Sequence, residues 1–424
     1  MKKNYSYPLL AVMVLLLATI AGKAQTTPAA TTATDAPVFG IKFSGFLRND
    51  VFYDTRQIVG LREGDLSLYP KDKSLDTNGK DINAAPTLTM LAITTRLSGA
   101  ITGPDAFGAK TSGLFEAEFF GNNETDLNEF RLRHAWIKLD WAKTQLAIGQ
   151  YWHPLFVTDC YPSVINFNTG MPFQPFNRSP QIRLTEKFGS VNLIAAIISE
   201  RDFTSTAPSG YSATDPMRNS TIPNAHLQLQ YKTEKFVAGA AFDYKSLRPV
   251  LASSALKKVS DERVNSSTFE AYVKAVTKPV IIKAEAIIGE NLTDQVMLGG
   301  YLGYTVSGQL ETYKPTKTNS FWFEIIGTGK KVIPGLFIGY TTNDGASANA
   351  TAAYGRGIGI SGRTVKQVMR VSPRVDFVSG KLKMGIEIEY TSAKYGTTDN
   401  AGKVTGATDD INYTRAMFTT TYSF

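Results

Sequence analysis

From residue 38 to residue 424 the chain repeats one texture: segments of roughly ten residues in which apolar and polar side chains alternate, separated by Gly/Asn/Asp/Pro/Lys-rich connections. Period-two alternation puts successive side chains on opposite faces of a strand. In segment 381–391, Leu382, Met384, Ile386, Ile388 and Tyr390 share one face while Lys381, Lys383, Glu387 and Glu389 share the other. In segment 370–377, Val371, Val375 and Phe377 oppose Arg370, Arg374 and Asp376. A soluble β-sandwich alternates too, so the connections decide the class. Their lengths alternate: short at 142–144, 187–190, 232–235, 278–279 and 379–380, long at 54–86, 153–180, 201–222, 247–266, 343–364 and 396–410. Hairpins with tight turns at one end and long loops at the other are the pattern of a transmembrane antiparallel β-barrel. Closure also removes the free edges that so many antiparallel strands would otherwise expose. The expected fold is all-β, one barrel domain over 38–424 with sixteen to eighteen strands, the count being least defined across 296–327.

Both ends of the chain agree with this class. The last residues, FTTTYSF (418–424), place Phe418, Thr420, Tyr422 and Phe424 on the outward face, where aromatic side chains form the membrane-interface girdle. A terminal Phe with aromatics at alternate upstream positions is what the bacterial barrel-assembly machinery reads. At the other end Lys2 and Lys3 precede an apolar stretch from Leu9 to Ile20, followed by Gly22-Lys23-Ala24. That arrangement predicts a signal peptide over 1–24, cut after Ala24, since the stretch falls short of the ~20 residues a membrane helix needs. Residues 25–37, QTTPAATTATDAP, read as a flexible lead-in. Beyond it the longest wholly apolar run is LIAAII at 193–198, so no helical span competes. That run is apolar on both faces, which suits contact with a second subunit or with an inserted loop.

Charge and cysteine usage narrow the class further. Losing Lys2, Lys3 and Lys23 lowers the formal net charge from +8 to +5, and the remaining excess is spread without a Lys/Arg block. Nucleic-acid binding has little support. The single cysteine, Cys160, cannot close an internal disulfide.

In a barrel of this size the inward side chains meet a water-filled lumen and decide what passes. Strand parity assigns inward positions to Arg48, Arg96, Arg183, Arg370, Arg374, Arg415 and six lysines, against ten acids that include Glu116, Glu118, Glu387 and Glu389. Near-balance predicts a weak anion preference. Arg131 and Arg133 share a face with Ala135, Ile137 and Leu139, which should meet lipid. Either a bulge switches the strand near Ala135, or both arginines sit at the outer rim against lipid phosphates or a neighbouring subunit. The loop from His153 to Pro180 carries five prolines and several aromatics, a composition suited to a rigid segment folded into the channel. Asp159 and Arg178, its only acid and its only guanidinium, are expected near the narrowest point.

The stretch NEFRLRHAWIKLDWAKTQLAIGQYWHPLF (128–156), with FSGFLRNDVFYDT (43–55), resembles the trimeric DcaP-like and phosphate-selective porins of Gram-negative outer membranes. The resemblance in pattern extends over most of the chain from residue 39. It departs at His153-Pro154-Leu155, where small polar residues would lead into the loop. It implies a sixteen-stranded homotrimeric channel for small, often anionic solutes, embedded among outer-membrane lipid and lipopolysaccharide, and it favours the lumen for Arg131 and Arg133.

Catalysis finds little to work with. His134, His153 and His226 are far apart in sequence, and neither H-E-x-x-H nor G-x-S-x-G occurs. GIGISG at 357–362 fits a dinucleotide fingerprint but lies in a Gly/Ala/Ser-rich loop where neither a strand before it nor a helix after it is expected. No enzyme activity, cofactor or metal is expected. The alternative to a channel is a closed barrel whose loops bind a partner.

Overall fold

The computed structural model describes residues 39–424 apart from residue 254. The signal peptide expected over 1–24 and the lead-in over 25–37 lie outside the described residues. Sixteen antiparallel strands close into one barrel. They are β1 (Gly40–Asp54), β2 (Thr87–Leu91 continued by Arg96–Thr102), β3 (Lys110–Glu118), β4 (Arg131–Asp140), β5 (Thr144–Trp152), β6 (Arg178–Phe188), β7 (Val191–Ile198) and β8 (Asn224–Lys232). The second half is β9 (Phe236–Leu247), β10 (Val264–Val276), β11 (Val280–Glu290), β12 (Lys317–Gly327), β13 (Val332–Asn343), β14 (Arg363–Ser379), β15 (Leu382–Thr398) and β16 (Val404–Ser423). Both pieces of β2 pair with β1, so they act as one strand interrupted at 92–95.

Each strand pairs with its neighbours in sequence, and β16 closes the ring on β1 in register from Phe46↔Ser423 to Asp54↔Arg415. Phe424 continues the seam: its N–H donates to Gly45 O at 3.0 Å. Gly45 is required there, because a Cβ would lie 2.2 Å from Arg96 O. The burial pattern is that of a barrel turned inside out. Outward residues such as Leu47, Ile137, Leu229, Ile288, Ile386 and Phe418 are exposed, while inward Arg370, Glu389, Arg415 and Glu324 are buried. Tyr53, Tyr340 and Tyr390 toward the loop end and Phe188, Tyr231, Phe377 and Tyr422 toward the turn end form the two exposed aromatic bands.

The segment 296–327 resolves the strand count at sixteen. Residues 291–316 are a loop with its own hairpin, Gly299–Tyr304 with Thr312–Pro315, which Ala352–Arg356 extends to three strands. Tyr301, Tyr313 and Tyr354 pack together there, with ring centroids 5.1 to 6.4 Å apart.

Three long connections turn inward instead of standing in solvent. The β1–β2 loop forms a hairpin, Ile58–Leu61 with Leu66–Pro70, whose second strand is wholly buried. The β5–β6 loop, 153–177, is buried along most of its length. Val296 and Leu298 from the β11–β12 loop join them, and the three segments share an apolar cluster inside the barrel with Leu66, Leu68, Phe156, Met171, Phe173, Phe176, Trp322 and Phe337. Its burial stabilises the inserted loops at roughly 25 cal/mol per Å² of apolar surface removed from water.

Candidate functional site

The β5–β6 loop starts at the loop end beside Trp152, and its Asp159 reaches Lys232 at the far end of β8, at 2.7 Å. It then returns along the wall of β10–β15. Its proline content keeps the path stiff, and the wall is notched to receive it. A Cβ on Gly339 of β13 would lie 2.4 Å from the Phe173 ring, and one on Gly385 of β15 would lie 2.6 Å from Ile165 Cδ1. Inward acids of that wall hold the returning backbone. Glu324 accepts from Ser163 N at 2.9 and 3.0 Å. Glu387 accepts from Ile165 N and Asn166 N. Glu389 accepts from the side-chain amides of Asn166 and Asn168 at 2.7 and 3.1 Å. Arg370 donates to Met171 O at 2.8 Å and to Leu68 O at 2.9 Å, tying the loop to the β1–β2 hairpin. These bonds satisfy the loop's polar backbone, which could not otherwise be buried.

The opposite wall, β1–β6, carries an arginine–carboxylate ladder. Arg96 meets Glu118 at 2.9 Å and Glu116 at 3.6 Å. Arg131 pairs with Glu118 at 2.9 Å and Asp202 at 3.1 Å, and Arg133 with Glu116 at 2.7 Å and Glu118 at 2.5 Å. Arg178 meets Asp202 at 2.6 Å. Four guanidiniums thus share three carboxylates, leaving a net positive rung. Arg48 pairs with Asp50 at 2.8 Å and donates to Ile165 O at 2.7 Å, bridging the wall to the loop tip. Arg183 has a carbonyl and an amide oxygen as partners, Trp152 O and Gln181 Oε1. On the far wall Arg374 is neutralised by Glu324 and Asp376, and at the β16–β1 seam Arg415 is neutralised by Asp54.

Arg131 and Arg133 both point inward, and a bulge is the reason. Glu116 of β3 pairs with His134 but Ala117 pairs with Leu132, so Arg133 is the extra residue on β4. Below the bulge Ile137 is exposed on the lipid face while Arg131, Arg133 and His134 are buried. Only pairing across the sheet sets that switch.

The expected placement of Asp159 and Arg178 together at the narrowest point is not what the loop does. Asp159 lines a cavity of about 600 Å³ at the turn end with Lys274, Lys283, Arg374, Asp376 and Lys383. Arg178 is the first residue of β6, fully buried against Trp152 and Phe176 within the ladder. The loop dips across the barrel before it returns, which separates the two. The tip near the ladder is instead Ile165–Thr169. Water contact along the ladder is confined to Arg48, Arg96 and Glu116, whose side chains are 13, 17 and 14 % exposed, against 2 % or less for Arg131, Arg133 and Arg178.

Several groups escaped sequence reasoning. Glu324 sits inward on β12, inside the stretch whose strands were undefined. Asp202 lies in a loop, where parity says nothing. Asp65, at the tip of the inserted hairpin, is fully buried with neither oxygen hydrogen-bonded. Burial, with the Asp50 charge adding to it, pushes its carboxyl up to about 8. His153 and His226 meet around Asp243: His226 Nδ1 lies 3.2 Å and His153 Nε2 3.7 Å from Oδ2. His153 Nδ1 accepts from Leu155 N, which leaves the proton of the neutral ring on Nε2, on the side of Asp243. Cys160 is buried, donates to Val273 O at 3.3 Å, and burial pushes its thiol up to about 12. It is a packing residue, not a nucleophile.

No family model and no curated protein sequence matches the chain. Its fold matches solved outer-membrane barrels. The outer membrane channel DcaP of Acinetobacter baumannii superposes with a TM-score of 0.64 at 17% identity, over 91% of this chain and 97% of that one. The anion-selective porin from Comamonas acidovorans gives 0.53 at 9% identity, over 91% and 100%. OmpT, an outer membrane protein of Vibrio cholerae, gives 0.52 at 12% identity, over 93% and 99%. The chain is similar to these in its fold, a closed sixteen-stranded antiparallel β-barrel.

Proposed function

We propose that the protein is an outer-membrane porin of a Gram-negative bacterium, a narrow aqueous channel for passive diffusion of small hydrophilic solutes with a preference for anions. The observation that carries this reading is the ladder of Arg48, Arg96, Arg131, Arg133 and Arg178, set on one wall and faced by a loop folded into the lumen. Opposed fixed charges at a constriction select ions by their field. Three inserted segments are buried inside the barrel, so conductance should be low for sixteen strands.

The chain's two exposed aromatic bands support an environment of outer-membrane lipid and lipopolysaccharide, reached after removal of residues 1–24 and with barrel-assembly machinery reading Phe424. A homotrimer is the expected assembly, as a trimer form is described for the Vibrio cholerae OmpT. The buried thiol of Cys160 and the histidines spent on Asp243 support a channel over an enzyme.

Purified protein in planar bilayers under a KCl gradient tests the reading. Discrete conductance steps with a reversal potential displaced toward chloride are expected. Bilayers that stay silent, together with liposomes that fail to swell in sugars, would leave a closed barrel whose loops bind a partner.

A further inference from the structure

At the loop tip one side chain differs from its neighbours. Asn166 and Asn168 both turn away from the ladder, their amides bonding Glu389 of β15 and Ser67 of the inserted hairpin. Phe167 between them turns the other way. Its ring lies 5.7 Å from the Arg48 guanidinium carbon, 5.8 Å from that of Arg96 and 5.9 Å from that of Arg133. Its fourth neighbour is the Phe120 ring at 5.1 Å. Three guanidiniums from three strands therefore converge on one aromatic ring.

That ring occupies the part of the ladder that keeps a little water contact, since Arg48 and Arg96, at 13 and 17 % exposure, are its least buried arginines. Phe167 is itself partly exposed, whereas Phe173 and Phe176, on the same loop, are buried. A phenyl ring over a cation is held by its quadrupole without a directional bond, so rotating it breaks no hydrogen bond. The backbone around it is fastened at both flanks. Before it, Ile165 N and Asn166 N donate to Glu387; after it, Asn168 Oδ1 accepts from Gly170 N at 3.1 Å and Thr169 Oγ1 donates to Phe167 O at 2.8 Å. The ring packs at the edge of the apolar cluster beside Phe120 and no hydrogen bond ties it there, so it can turn on a fixed base.

We propose that Phe167 is the gate of the constriction: its ring covers the guanidiniums of Arg48, Arg96 and Arg133, and an anion reaches them only when the ring swings aside. The inference rests on the channel reading above and adds the residue that sets effective width and anion access. The ring competes with the solute for the same three cations, so removing it both widens the path and exposes positive field.

The test is single-channel recording of wild type, Phe167→Ala, Phe167→Leu and Phe167→Trp in a KCl gradient, after heat-modifiability gels show each folded. Phe167→Ala is expected to raise conductance about twofold or more and to move the reversal potential further toward chloride, because field and width both act at a narrow point. Phe167→Trp should lower conductance. Should the Ala variant not fold, Leu carries the test: it fills much of the volume without a π face, so the reversal potential moves more than the conductance. A wild type that conducts with variants identical to it overturns the gate while leaving the channel. Silence from wild type and all variants removes both.

Discussion

Glu387 offers the sharpest test of how the loop is held. Its carboxylate accepts from Ile165 N and Asn166 N at the loop tip and from Ser372 Oγ of β14, all at buried positions. Glu387→Ala strands two buried backbone donors, each costing ~1–3 kcal/mol, so the tip is destabilised by roughly 2–6 kcal/mol. With a factor of ten for each ~1.4 kcal/mol, the released tip becomes about 30- to 10⁴-fold more populated. Glu387→Gln keeps one oxygen for the two N–H groups and turns its amide to Ser372 Oγ, which can accept; its cost should stay near ~1 kcal/mol. Asn166 and Asn168 remain clamped to Glu389, so the loop stays inside the barrel and the effect is local to the tip. Hydrogen exchange at the amides of residues 163–169 reads this directly, and single-channel noise reads its consequence. The order of protection should be wild type, then Gln, then Ala. If the Ala variant protects Ile165 and Asn166 as well as wild type does, these bonds are not what fastens the tip and the reasoning fails.

Other predictions concern different parts of the interior. Asp65, released from the hairpin, would titrate at its ordinary value near 3.8, but buried it keeps its proton up to about 8. The seated hairpin therefore binds more protons between those values, and its stability should fall as pH rises through that window and level off above it. Exchange of residues 58–70, corrected for intrinsic rates, should accelerate from pH 5 to 8 in wild type and lose that dependence in Asp65→Asn; a flat wild-type profile contradicts the assignment. Gly339→Val places atoms within 2.4 Å of the Phe173 ring, an overpacking cost of ~1–3 kcal/mol. It should expose the loop to chymotrypsin, whereas Gly380→Ala in a turn, with nothing within 4 Å of its Cβ, should not. Ile197 pairs with Ile182 on the outward face of β7. Ile197→Glu should move detergent-extracted protein toward monomer on native gels, and unchanged migration argues for a subunit contact elsewhere.

The alternation of side chains and the alternation of short and long connections were enough to specify a closed antiparallel barrel, because closure and lipid impose local, periodic demands on every strand. Parity placed Arg48, Arg96, Glu116, Glu118, Arg370, Arg374 and Arg415 on the inner wall for the same reason. What parity could not reach were the departures from period two and everything carried by loops. The inward turn of Arg131 and Arg133 depends on one extra residue against β3, a property of the pairing and not of either strand. The separation of Asp159 from Arg178, the seating of Phe173 and Ile165 against Gly339 and Gly385, and the meeting of Phe167 with three arginines join residues as much as 220 positions apart in sequence, as Glu387 and Ile165 are to within two. Such contacts are set by how the loop packs in the closed barrel, where shape and the need to pair every buried charge choose among paths that look alike along the chain.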